Sequence, residues 1–145
     1  MPYQTLKPAE AKSLLDGDEQ WTYLDVRTVE EFEAGHPTGA YNIPIAVRTP
    51  DGMMAPNSAF VEQVARHFPK DTNLVLGCAA GGRSRHACEQ LLTEGYRNLV
   101  NMHGGFSGAR DEAGRTVEAG WQACGFPVET SCDDERTWRH LSTVG

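Results

Sequence analysis

The sequence is short of the features that would place it in several large classes. Four cysteines stand at 78, 88, 124 and 132, with no Cys-x-x-Cys pair among them. That spacing suits neither a structural zinc site nor a disulfide scaffold. His86-x-Cys88 is a nominal metal pair, but it falls on a helical stretch and reads as chance. No metal and no organic cofactor is expected. No apolar run approaches the ~18 residues of a membrane span. The start, Met1-Pro2-Tyr3-Gln4-Thr5, has neither the basic opening nor the apolar core of a signal peptide. Basic stripes are missing too: 13 Lys and Arg face 20 Asp and Glu, for a net charge of −7. An acidic chain of this kind argues against nucleic acid as the main partner. No internal repeat or low-complexity segment is visible. These absences leave one domain of 145 residues, expected in the reducing cytoplasm with a thiol free for chemistry.

What is present centres on Leu74-Val75-Leu76-Gly77-Cys78-Ala79-Ala80-Gly81-Gly82-Arg83-Ser84. An apolar, strand-type run ends at Gly77, and Cys78 follows at once. Arg85 to Leu92 then has helical spacing, with Gly95 as its stop. A strand entering a helix through small residues leaves several backbone N–H groups facing one hollow. The helix dipole adds about half a positive charge there, and successive amides form an anion nest. Ala79, Ala80, Gly81 and Gly82 leave the hollow open, and both glycines are free to take positive φ. That field favours a thiolate at Cys78. Arg83 adds a planar fork for an oxyanion, and Ser84 completes the loop. Cys78 is the expected nucleophile; residues 79 to 84 are the expected donor contacts.

In chain order, Thr5-Leu6 reads as a strand and Pro8 to Leu15 as a helix opened by proline. Trp21 to Val26 reads as a buried strand. Asp25 and Arg27 at its end are read as a structural ion pair, and Thr28 with Glu31 as a capping box. Tyr41 to Ile43 is a short strand. Residues 47 to 56 form a long loop, either lining the pocket mouth or mobile at the surface, with Met53 and Met54 as adaptable apolar surface. Asn57 or Ser58 caps a helix whose apolar face is Phe60, Val61, Val64 and Phe68. Asn98 to Asn101 is a strand, and Gly104-Gly105-Phe106 opens a further helical region. The domain spans 1–130, and 131–145 is a loosely packed polar tail. Alternating strands and helices mean a parallel sheet covered by helices on both faces. The Cys78 loop then lies at a strand's carboxyl end, where such sheets bind ligands.

Cys78-x-x-Gly81-x-Arg83-Ser84 resembles the active-site loop of the rhodanese, or sulfurtransferase, family. Further marks are Leu24-Asp25-Val26-Arg27, Glu30-Glu31-Phe32, Gly35-His36-Pro37-Thr38-Gly39-Ala40, Gly104-Gly105-Phe106 and Gly125-Phe126-Pro127-Val128. The resemblance covers about residues 5 to 130 and implies a rhodanese-like α/β domain. The family usually has an aliphatic residue where Pro37 stands. Its tryptophan after the glycine pair comes late here, at Trp121, behind an insertion over 109–120. His36 is implied to be structural.

The resemblance implies sulfane-sulfur transfer from a small anionic donor, thiosulfate or a persulfide, through a persulfide on Cys78. The acceptor would be cyanide in assays and a small-molecule or protein thiol in a cell. Two other readings stay open: a rhodanese-like module that binds a partner or senses sulfur without turnover, and a dual-specificity phosphatase or arsenate reductase. Four residues separate Cys78 from Arg83, one fewer than in those phosphate- and arsenate-handling relatives. His86 is open to a reading as general base, against a bland one as a solvent-facing side chain. Cys132 reads as an exposed bystander or as a second sulfur acceptor.

Overall fold

The computed structural model describes residues 3–130 and 136–142. Its centre is a five-stranded sheet in which every neighbouring pair is parallel. The strands are β1 (Gln4–Leu6), β2 (Trp21–Asp25), β4 (Tyr41–Asn42), β7 (Asn73–Gly77) and β8 (Leu99–Met102), in the order β1-β8-β7-β2-β4. Three small antiparallel pairs sit around it: β3 (His36–Pro37) with β11 (Val128–Glu129), β5 (Ala46–Arg48) with β6 (Met54–Pro56), and β9 (Ala109–Arg110) with β10 (Thr116–Glu118).

The sheet is buried on both faces, and its strands show why. Side chains alternate across a strand, so Leu74 and Leu76 of β7 point to one side and Val75 to the other. The leucines pack with Phe60 and Val64 of α3 (Phe60–His67) and with Ala87 and Leu91 of α4 (Gly82–Thr93). Val75 packs with Tyr23, with Ala11 of α1 (Pro8–Asp16) and with Phe32 of α2 (Val29–Ala34). Helices therefore cover both faces, as the alternation of apolar runs implies.

At the carboxyl end of β2 lies a buried ion pair. Asp25 is fully buried and Arg27 nearly so. Arg27 Nη2 donates to Asp25 Oδ2 at 2.7 Å and Nε to Oδ1 at 3.0 Å. The same guanidinium donates to Gly35 O at 2.7 Å and lies 4.4 Å from the centre of the Phe106 ring. Asn42 Nδ2 donates to the carbonyls of both Asp25 and Arg27, tying β4 to the same point. The pairing inferred from sequence is therefore structural.

Four local expectations change. Residues 47–56 are mostly hairpin instead of loop, because Thr49 N donates to Met53 O at 2.7 Å and closes β5 onto β6. α3 starts from Ala59, which has no side-chain cap. Asn57 instead folds the turn before it, its Oδ1 accepting from Ala59 N at 3.2 Å. Gly104-Gly105-Phe106 opens a chain of turns and no helix, since Gly104 (φ 88°) and Gly105 (φ 56°) both take left-handed conformations. Finally, residues 136–142 do not form a loose tail. They carry α5 (Trp138–Leu141), whose Leu141 is buried in the core. His67 Nε2 donates to Leu141 O at 2.8 Å, and Arg136 donates to Glu129 Oε1 at 2.9 Å. Cys132 lies outside the described residues.

The Tyr23 hydroxyl is buried and, among the described residues, has no hydrogen-bond partner. It fills the space where a Cβ on Gly77 would lie, at 1.7 Å. Tyr23→Phe, which removes only that orphaned group, should therefore leave stability unchanged or raise it by about 1 kcal/mol. Asp25→Ala, which strands the Arg27 charge in the core, should cost about 3–5 kcal/mol. Urea denaturation read by fluorescence checks both.

Candidate active site

β7 ends at Gly77 and hands the chain to Cys78, six residues before the first buried side chain of α4, Ser84. Val26 N donates to Gly77 O at 3.0 Å, so the central pair β2–β7 stays hydrogen-bonded up to the cysteine. Beyond it, two loop carbonyls are held from outside. Phe106 N donates to Cys78 O and Ser107 N to Ala79 O, both at 2.8 Å. In a planar trans peptide the N–H points opposite to the C=O. Fixing these two oxygens therefore turns the N–H groups of Ala79 and Ala80 away from the 106–107 segment, toward the open side of the loop.

The sulfur itself is reached by two amides. Gly81 N lies 3.0 Å from Cys78 Sγ and Ser84 N lies 3.4 Å from it. Gly82 and Arg83 occupy the first turn of α4, where N–H groups have no intrahelical acceptor. Gly81, the residue before that turn, has φ 121°, a conformation that L side chains rarely adopt. Gly82 needs no such freedom, so only one of the two glycines is required by its backbone. The arrangement aims two backbone N–H donors at one sulfur.

Two side chains of the loop turn out otherwise than expected. Ser84 is fully buried and so does not present its hydroxyl to a donor. The hydroxyl is directed to Asn101 Oδ1 of β8 and lies 3.5 Å from Cys78 Sγ. The sequence reads Arg83 as a planar fork open to an oxyanion. Instead its Nη1 and Nη2 donate to the two carboxylate oxygens of Glu31, at 2.7 and 3.0 Å. Glu31 also accepts from Thr28 N at 3.1 Å and closes the capping box of α2. The Arg83 guanidinium beside it, opposed by partial burial, holds its carboxyl down at about 2. The sequence signalled Glu31 only as a cap. Its second task depends on how α2 and α4 meet, which no local pattern encodes.

The remaining candidates separate clearly. His86 is exposed and its ring nitrogen faces Gln90, so it is no base for Cys78. His36 is buried and stacked 3.7 Å from Phe32, with Nδ1 2.6 Å from Phe32 O, a structural role. Cys88 is buried behind the loop, and burial pushes its thiol up to about 12, leaving it protonated. The β5–β6 hairpin stands beside α2 through Arg48–Glu30 at 3.7 Å, with Met53 65% exposed at its tip. Among the described residues, no helix is long and apolar enough to cross a membrane.

Comparison with known proteins gives a consistent result. The family model described as Rhodanese-like domain matches residues 7–112. Thiosulfate sulfurtransferase 18 of Arabidopsis thaliana is 35% identical over 124 residues, covering 84% of this chain and 80% of that protein. Thiosulfate sulfurtransferase 16, chloroplastic, from the same plant is 46% identical over 85 residues, 59% of this chain and 70% of that one. Protein HIGH ARSENIC CONTENT 1, mitochondrial, also from that plant, is 48% identical over 85 residues, 59% of this chain and 50% of its own length. The chain thus spans half the length of the last of these relatives and 70–80% of the other two. Among solved structures, Rv0390 from M. tuberculosis superposes with a TM-score of 0.73 at 25% identity, over 89% of this chain and 99% of that one.

The Glu31–Arg83 pair has a consequence for stability against pH. The folded-state value of Glu31 lies below its ordinary 4.5. Its contribution is therefore present above that ordinary value and lost as pH falls toward about 2. Urea midpoints measured from pH 6 to pH 2.5 should fall with acidity, and less steeply in Glu31→Gln than in the wild type.

Proposed function

The chain belongs to the rhodanese-like domain family, and on that premise we propose that it transfers sulfane sulfur through a persulfide on Cys78. The observation that carries this reading is the pair of backbone donors on one sulfur: Gly81 N and Ser84 N both reach Cys78 Sγ. Such a pair stabilises the attacking thiolate and the persulfide anion alike, because both place negative charge in the same hollow.

The reaction runs in two steps. The Cys78 thiolate attacks the outer sulfur of thiosulfate; an S–S bond forms, the bond to the sulfonate sulfur breaks, and its electron pair leaves with sulfite. A nucleophilic acceptor, cyanide or a thiolate, then attacks the terminal sulfur and releases Cys78 as thiolate. Both steps balance in atoms and electrons. Loop amides of residues 79 to 83 receive the anionic end of the donor, with the Arg83 guanidinium beside them paired to Glu31. Cys78 is 2% exposed, so a donor must present a slim, divalent sulfur at the loop's open side. The buried Asn101 and Ser84 hold the loop from below without touching the donor. A reducing compartment, such as the cytoplasm, keeps the thiol available. Relatives named thiosulfate sulfurtransferase, and a putative sulfur carrier protein from Bacillus subtilis at 29% identity, support the same reading.

Intact mass after excess thiosulfate tests it. The wild type should gain one sulfur, about 32 Da, and lose it on adding cyanide. Cys78→Ser should gain nothing while melting within a few degrees of the wild type. No gain by the wild type from any sulfane donor would leave a module that binds a partner without turnover.

A further inference from the structure

Arg83 is the cation of the loop, yet its two terminal nitrogens both end on Glu31. The pair is half-buried, with side-chain exposures of 32% and 35%. At that depth solvent screens it only in part. Glu31 is also fixed from its other side. Thr28 N and Thr28 Oγ1 both donate to its Oε1, and Glu31 N donates back to Thr28 Oγ1. The carboxylate is thus built into the first turn of α2 and cannot swing away without breaking the cap. Nearby, Glu30 and Arg48 lie 3.7 Å apart and cancel, while Asp25 and Arg27 form their own closed pair. What remains for a donor is the loop amides, with a guanidinium whose charge is matched by a fixed carboxylate a hydrogen bond away.

Resting on the sulfur-transfer reading, we propose that Glu31 sets the charge of the donor: the site selects singly charged sulfane donors, of the persulfide or thiosulfonate kind, over doubly charged thiosulfate. A free arginine would attract the second negative charge of thiosulfate. Glu31 cancels that attraction while leaving the amides, which serve one negative charge on the reacting group. Glu31 acts through Arg83 and is a positioning residue; it does not touch the reacting sulfur.

Two probes with the same chemistry separate charge from fit. Methanethiosulfonate anion carries a methyl group in place of one thiosulfate oxygen, and one negative charge less. Each donates its outer sulfur, releasing methanesulfinate or sulfite. The ratio of kcat/KM for methanethiosulfonate to that for thiosulfate, with cyanide as acceptor, should exceed about tenfold in the wild type. Glu31→Gln keeps an oxygen able to accept from Thr28 N, as glutamine does in capping boxes. It should bring the ratio to within about threefold of one, by lowering KM for thiosulfate with kcat little changed. A wild-type ratio near one would overturn the proposal even if the glutamine variant failed to fold. A ratio unchanged in a folded Glu31→Gln would overturn it as well. A rise for both donors together would do the same, showing that Glu31 shapes the loop and not its charge. In those cases the 32 Da gain persists and the transferase reading stands. Its absence with both donors would remove that reading and this inference together.

Discussion

One buried ion pair organises the carboxyl edge of the sheet. Asp25 is the last residue of β2, and burying its charge is tolerable only because Arg27 wraps back onto it with side-chain and backbone donors. Arg27 then reaches further. It donates to Gly35, which ends α2, and lies against the Phe106 ring. Phe106 in turn holds Cys78 O through its amide. A chain of contacts therefore runs from the end of one central strand, through a cation, an aromatic ring and a backbone amide, to the residue after the other central strand. The loop is positioned from two sides: by the ladder between β2 and β7, and by this external route.

Function follows from where the amides point. A thiol on a strand end is commonplace; one whose own carbonyl and the next are both held from outside the loop is not. The 106–107 segment supplies that orientation, and α4 supplies the open amides of its first turn. Glu31 adds a third influence from α2, by pairing with Arg83. Charge at the site is thus decided jointly by three segments that are far apart in the chain, each also engaged in ordinary structural work such as capping a helix or closing a turn.

Much of this was legible in the residues alone. The parallel sheet, its helices on both faces, the Cys78 loop, the Asp25–Arg27 pair and the Thr28–Glu31 cap all carry local signatures: apolar alternation, small residues after a strand, charges two apart, a capping box. What escaped was non-local or weakly coded. Arg83 reads as a free cation because its partner lies on another helix. Ser84 reads as a loop side chain because nothing nearby announces Asn101. The 46–56 hairpin does carry a turn signal, Pro50-Asp51-Gly52 with Gly52 at φ 85°, but the strands beside it are only three residues long; its closure also uses the Thr49 and Asp51 side chains meeting around the bend. The last helix is too short to stand out; the burial of Leu141, with Trp138 packed partly buried beside it, docks it on the core.

The glycines around the 109–118 hairpin have a practical meaning. A Cβ on Gly105 would sit 2.4 Å from Cys78 O, and one on Gly120 would sit 2.4 Å from Gly108 N. Backbone meets backbone at the stem of this excursion, and Trp121 N donates to Gly105 O to close it. Past that clamp, β9 and β10 extend to an exposed tip at residues 112–117. It is the stem, not the tip, that meets the Cys78 loop, so the tip is a natural place to graft a tag, an epitope or a second domain, whereas an insertion at the stem would reach the sulfur site.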